Sequence, residues 1–237
     1  VSAVNIRVRF RKYGVLKFIG HLDVMRYFQK AIRRADIDIC YSEGYSPHMI
    51  MSFASPLGLG LESDGEYMDI RINGSISSKE AVRRLNAVMV EGIDVMSFRE
   101  LPENSKNAMA SVAAADYEVR FREGCAPEDG WKEQFTEFLA QPEMRIVKET
   151  KKGQQEIDIR PWIYSWEIVD NMIKMQVSAG SVHNLKPEMV LKAFAEHIGW
   201  DMPQFALLVT RREMYADQGT EEERKLISLE ALGEEIG

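Results

Sequence analysis

VNIRVRFRKYGVLKFIGHLDVMRYFQKAIRRA, residues 4–35, changes its period halfway along. In its first part Ile6, Val8 and Phe10 alternate with Arg7, Arg9 and Arg11, the period of two expected of a strand with one covered face. After Tyr13-Gly14, from about Leu22 to Ala35, the residues Val24, Met25, Phe28, Ala31, Ile32 and Ala35 recur at spacings of three and four. That is the apolar stripe of a helix packed on a core. Asp23, Arg26, Lys30, Arg33 and Arg34 fall on the opposite side of the same helix.

The pattern continues outward from this start. Ile39–Tyr41 opens an extended segment, followed by a loop rich in Gly, Ser and Pro up to Gly65. Met68, Ile70 and Ile72 then alternate with Tyr67, Asp69 and Arg71 as a strand. Ser77 with Glu80 forms a capping box for a helix carrying Val82, Leu85 and Met89, closed by Gly92, and Ile93–Phe98 reads as a last strand. The order is β-α-β-β-α-β, a ferredoxin-like arrangement. Residues 102–116 lack alternation and read as a linker. The order then begins again: a strand at Tyr117–Phe121 and a helix marked by Trp131, Phe135, Phe138 and Leu139. A hairpin of Met144–Glu149 and Glu156–Arg160 turns at Lys151-Lys152-Gly153, and Met172–Val177 is a further strand. A helix from Pro187 to Gly199 and a strand at Phe205–Thr210 complete the second round. The expected fold is α+β, two tandem ferredoxin-like (βαββαβ) domains with antiparallel sheets. Their expected bounds are residues 1–101, including the long loop, and 117–215. A tail over 216–237 is acidic and is expected to add a short helix from Thr220.

The chain has 237 residues and a formal net charge of −7, with 45% hydrophobic and 28% charged residues. This is too apolar for a disordered chain, and the acidic total excludes a uniformly basic nucleic-acid coat. The charge is uneven. Residues 1–40 hold nine Lys and Arg against three acids, residues 41–214 hold 19 against 27, and residues 215–237 hold two against seven. Two cysteines, Cys40 and Cys125, exclude a disulfide framework, a CxxC zinc site and a cysteine-held cluster within this chain. No apolar run reaches the length of about 18 residues that a membrane helix needs, and the first residues alternate as a strand rather than as a signal peptide. A cytoplasmic protein without a membrane partner is the expectation.

Candidate site residues lie in three places. The first is the long loop, where Ser42, Glu43, Gly44, Tyr45, His48 and Ser52 could line a substrate site, since long structureless loops in compact domains are usually functional. His21, at the start of the first helix, His48 and Tyr45 are the candidates for catalysis; no metal site is expected, because His21 and Asp23 two residues apart diverge on a helix. The second is the basic set Arg7, Arg9, Arg11, Arg26, Lys30, Arg33 and Arg34, a candidate nucleic-acid or anion surface. Three arginines on one strand face require a covering partner: acids such as Asp69 on a neighbouring strand, the second domain, or a polyanion. The third is Lys151, Lys152, Asp158 and Arg160 with Asn184 and Lys186 before a helix start, a candidate anion site in the second domain. No GxSxG, HExxH, GxGxxG or P-loop pattern declares an enzyme class, so the chain reads as a non-catalytic partner more than as an enzyme.

The run HLDVMRYFQKAIRRA, then YSEGYSPH, SFASPLGLG and EYMDI, with EIDIRP, GSVHNLKP and TRREMY in the second half, resembles the radical SAM-linked protein family. That resemblance implies a separately encoded radical SAM protein as partner, carrying the iron–sulfur cluster and SAM, with no cofactor in this chain. The tandem ferredoxin-like plan also looks like the CRISPR RNA-processing proteins, at the level of fold alone. The leading expectation is therefore an accessory RNA- or substrate-binding protein acting with a radical SAM enzyme, in RNA modification. The alternatives are a metal-independent endoribonuclease using His21 or His48 with Tyr45 or an arginine assisting, and a protein-interaction scaffold acting through the acidic tail.

Overall fold

The computed structural model describes residues 3–150, 153–220 and 222–237. In chain order the elements are β1 (Ala3–Lys12), α1 (His21–Arg34), β2 (Met51–Phe53), β3 (Glu62–Asn73), α2 (Ser78–Asn86), β4 (Ile93–Glu100) and α3 (Ala108–Ser111). These are followed by β5 (Ala114–Phe121), α4 (Trp131–Leu139), β6 (Arg145–Thr150), β7 (Gly153–Asp158), β8 (Ile163–Val169), β9 (Met172–Ser178), α5 (Pro187–Ile198) and β10 (Leu207–Asp217). Two short strands, β11 (Leu226–Ser228) and β12 (Glu234–Glu235), end the chain. It is a mixed α+β protein of two compact units: Val1–Ala114 with Arg211–Gly237, and Ala115–Thr210.

In the first unit the strands lie in the order β12-β4-β1-β3-β10, with β2 also on β3 and β11 on β10. β1 runs antiparallel to both β3 and β4. Alternation places Ile6, Val8 and Phe10 in the core with Met68, Ile70 and Ile72 of β3. The α1 stripe, Val24, Phe28, Ala31 and Ile32, closes over them. Phe28 lies 4.7 Å from Phe10 and 6.0 Å from Phe53, centroid to centroid, so three rings from three elements lock the helix to the sheet. Each such buried side chain contributes about 1.5–3 kcal/mol of transfer free energy. Ser77 caps α2 by accepting the Glu80 N–H, as its spacing indicates.

Close approach of β3 to β10 depends on Gly65. A Cβ there would stand 2.7 Å from the Arg212 carbonyl oxygen and 2.8 Å from Glu213 Cα, both backbone atoms that cannot yield cheaply. Gly65→Ala is expected to destabilise the protein by roughly 1–3 kcal/mol, the usual cost of overpacking. An unchanged urea midpoint for this variant would show that the two strands can part without loss.

Residues 102–116 and the tail depart from the sequence reading. Residues 102–116 are not a bare linker: Asn107 caps α3, Ala108 and Ala114 are buried, and β5 begins at Ala114. The tail forms no acidic helix. It pairs as β11 with β10 and as β12 with β4, joined by a 3-10 turn at Leu229–Leu232 whose Leu229 is fully buried. Strand edges supply hydrogen-bond partners and a pocket for Leu229, and this tertiary gain overrides a weak helical preference. The same contacts make residues 211–237 part of the first unit rather than of a second domain and a free tail.

In the second unit the strand order is β10-β5-β9-β8, and β6 and β7 form a separate two-stranded sheet. The hairpin read from the sequence is therefore present but lies outside the main sheet, and the strand beside β9 is β8, which the sequence reading omits. In β8 the half-buried Tyr164, Trp166 and Ile168 alternate with the exposed Ser165, Glu167 and Val169, a period of two that marks a strand with one covered face. Phe135 of α4 and Phe194 of α5 meet at 4.9 Å in this unit's core. Among the described residues no helix is long and apolar enough to cross a membrane.

Candidate functional site

The polar face of β1 is a row of arginines, and the fold gives each a carboxylate. The register Arg7↔Asp69 puts these two side by side, and Arg7 donates from Nε and Nη2 to the two Asp69 oxygens at 2.8 and 2.9 Å. Arg7 is 1% exposed and also donates to the carbonyls of Leu229 and Lys106. Arg9 pairs with Glu230 at 2.9 Å and Glu213 at 3.1 Å, and Arg11 with Asp64 at 2.7 Å. The Tyr67 hydroxyl donates to Glu213 at 2.6 Å, and burial pushes the Glu213 carboxyl above its ordinary range. Burial also holds the Lys12 ammonium, which donates to the Ile19 carbonyl, below its ordinary value. Arg7, Arg9 and Arg11 are thus partners within the first unit, not a free anion-binding face.

Helix α1 is different. Arg26, Lys30, Arg33 and Arg34 are exposed on one side of it, and 3.6-residue geometry holds them within an arc of about 100°. Arg26 contacts Asp23 at 3.4 Å, an exposed pair of small worth, and Arg34 donates to the Val88 carbonyl. Lys30 and Arg33 have no carboxylate partner among the described residues. Phe18, 63% exposed, lies three residues before this helix begins, and Leu22 on its first turn is also exposed.

The long loop is an ordered ladder. Ser42 N–H donates to the His48 carbonyl at 2.8 Å, Ile50 N–H to that of Cys40 at 2.9 Å, and Tyr41 bridges Met49. Glu43, Gly44 and Tyr45 form the tip, where Gly44 takes φ +108° and Tyr45 is fully exposed. Ser42 Oγ accepts the His48 amide at 3.1 Å and lies 2.8 Å from His48 Nδ1. The loop therefore brings Ser42, Tyr45 and His48 to one projection. His21 is not part of it. It neither caps α1, whose N-cap is Gly20, nor bonds to His48; its ring packs edge-on against Phe53 at 5.1 Å.

Beside the loop, in the first unit, is a pocket of about 350 Å³. Its floor is a three-strand ladder in which Asn5 stands opposite Arg71 and Ser52 opposite Asp69. Ser105 and Asn107 form one wall and His48 another, with Met51 and Leu101 as apolar lining. His48 and Ser52 are foreseen from sequence. Arg71 and Asn5 are missed, although alternation on β3 puts Arg71 on the polar face with Asp69; the wall comes from a segment read as linker.

In the second unit the candidates are structural. Asp158 Oδ1 accepts the N–H groups of Met144 and Arg160 at 2.8 and 3.0 Å, and Arg160 donates to the Ile163 carbonyl. Together they fix the base of the β6–β7 hairpin. Asn184 and Lys186 are exposed before α5, with Lys186 as its N-cap residue and no side-chain cap. His183, just before them, stacks on Trp162 at 4.6 Å. Lys151 and Lys152 lie outside the described residues. Among the described residues no three His, Cys, Asp or Glu side chains gather as metal ligands would.

No curated protein matches this sequence. Among solved structures, it is similar to a chain of a Cbf5-Nop10-Gar1 complex, with 12% identity and a TM-score of 0.44. That alignment covers 88% of this chain and 48% of the other, so the chain spans about half the length of that neighbour. An unknown protein from Galdieria sulphuraria aligns at 12% identity and a TM-score of 0.28, over 89% of this chain and 99% of that one. The family model described as "uncharacterized protein conserved in bacteria" (DUF2344) matches residues 5–187, well over half of the sequence, and the chain belongs to that family.

Proposed function

We propose that this protein is a binding partner that takes RNA on the exposed face of α1 and acts with a separately encoded radical SAM enzyme, which carries the cluster and SAM. The observation that carries the RNA reading is the state of Lys30 and Arg33: exposed, adjacent on one helix face, and without a carboxylate partner among the described residues. Uncompensated cations in a row attract phosphates through counterion release, and the exposed Phe18 offers a ring on which a base can stack. The radical SAM partner is supported by the ordered sequence blocks quoted above. We read the two units as ferredoxin-like repeats, the second interrupted by the β6–β7 hairpin; the strand orders β4-β1-β3-β2 and β10-β5-β9-β8 support this. Nothing in the geometry favours the endoribonuclease, whose two histidines have different neighbours. Nor is a scaffold acting through a free tail favoured, since the tail is bound into the first unit.

The test is fluorescence anisotropy of a labelled single-stranded RNA against the intact chain at low salt. Each of Lys30→Ala and Arg33→Ala is expected to weaken binding by about fivefold, the value of about 1 kcal/mol per exposed charge contact. Arg83, which is paired with Glu80 on α2, serves as control, and Arg83→Ala is expected to leave binding unchanged. Equal loss in all three variants would mean that net charge, not this helix face, attracts the RNA.

A further inference from the structure

The pocket beside the long loop has a charge balance that specifies its ligand. Asp69, its acid, is already neutralised by Arg7 and accepts the Ala108 N–H at 2.6 Å, so it presents no free negative charge. Arg71 lines the same pocket, is exposed, and has no carboxylate partner among the described residues. His48 adds a second donor. Ser42 Oγ accepts the His48 amide and lies 2.8 Å from Nδ1, and the ring donates from Nε2 in the tautomer or the charged form that carries a proton there. Asn5 stands across the ladder from Arg71, and Ser52 contributes a hydroxyl. The result is one uncompensated guanidinium, neutral donors around it, and an apolar lining from Met51 and Leu101. A volume of about 350 Å³ is in the range that holds a small organic ligand rather than a bare ion.

We propose that this pocket binds the phosphate of a nucleotide, with Arg71 forking onto the phosphate oxygens, His48 Nε2 donating to them, and the apolar lining meeting the nucleoside. Guanidinium geometry matches two phosphate oxygens at once, and charge-assisted hydrogen bonds of this kind are the strong ones. The phosphate has two sources with the same chemistry: a free mononucleotide, or a nucleotide within an RNA strand. In the second case the inference deepens the RNA reading; in the first it stands without it.

Calorimetric titration of the intact chain with adenosine 5′-monophosphate, inorganic phosphate and a 5′-phosphorylated RNA trinucleotide separates these. The expected result is saturable binding of at least one of the three, one per chain, weakened about tenfold or more by Arg71→Ala. Binding of the mononucleotide assigns a free ligand, and binding of the trinucleotide alone assigns an RNA strand. Arg71→Gln keeps most of the side-chain stem and provides the same test if the alanine variant unfolds at a lower temperature. Lys30→Ala with Arg33→Ala is expected to leave mononucleotide binding unchanged, so failure of the helix reading and failure of the pocket reading are told apart. Absence of binding for all three ligands, or binding indifferent to both Arg71 variants, would overturn the proposal.

Discussion

Replacing Arg211 by Met is expected to destabilise the protein by roughly 3–5 kcal/mol, because it strands a carboxylate in the interior of the first unit. Glu66 and Arg211 are among the few buried charged residues here. Their side chains are 6% and 4% exposed, and Arg211 donates from Nε and Nη2 to Glu66 at 2.6–2.8 Å. Nη2 also donates to the Ser55 carbonyl at 3.0 Å, so the guanidinium ties β10 to β3 and to the chain after β2. Removing one charge leaves the other desolvated and unpaired. Removing both, as Glu66→Leu with Arg211→Met, is expected to restore most of the loss, since apolar replacements of buried pairs are often neutral. Urea unfolding of the two single variants and the double variant measures this. A single-variant loss below about 1 kcal/mol would place the pair in water rather than in the interior.

The second large effect lies at Leu229. Its side chain is fully buried although it sits in a tail that the sequence presents as acidic and solvated. Leu229→Ala is expected to cost about 2–5 kcal/mol, the range for a core leucine that leaves a cavity. Its carbonyl accepts from Arg7, and its neighbour Glu230 pairs with Arg9 and Arg99. Further on, Ser78 N–H donates to the Ile236 carbonyl and Ile236 N–H to Ser78 Oγ. The segment therefore works as a strap over the arginine face of β1. A Leu229→Ala variant as stable as the parent in thermal unfolding would show that the strap is not part of the folded unit.

What could be read from sequence follows the range of the interactions involved. The β1 alternation and the α1 stripe are local signals, and both elements form where those signals place them. Asp69 is identifiable as a cover for Arg7 because strand alternation puts both on the polar face of neighbouring strands. The Glu66–Arg211 pair is not identifiable, because 145 residues separate its partners and nothing local marks either as buried. β8 is legible locally, since Tyr164, Trp166 and Ile168 alternate with Ser165 and Glu167, and the sequence reading passes over that period. The tail misleads for a physical reason: Leu226, Leu229 and Leu232 have helical spacing, yet strand edges and a core socket outweigh that preference. Of the seven basic residues first grouped as one surface, strand alternation separates three that need carboxylates from four that a helix face leaves to solvent. The pocket at Arg71 needs the 101–107 segment to fold over the sheet, and no period in that segment announces it.

The most direct measurement of the RNA reading is the salt dependence of binding by the intact chain and by its Lys30→Ala/Arg33→Ala variant. For single strands the slope of log affinity against log salt is about −0.7 per phosphate neutralised. The expected result is a parent slope made shallower by about 1.4 when both cations are removed, with the folded state unchanged by circular dichroism. Parent and variant slopes that coincide would contradict RNA binding on α1.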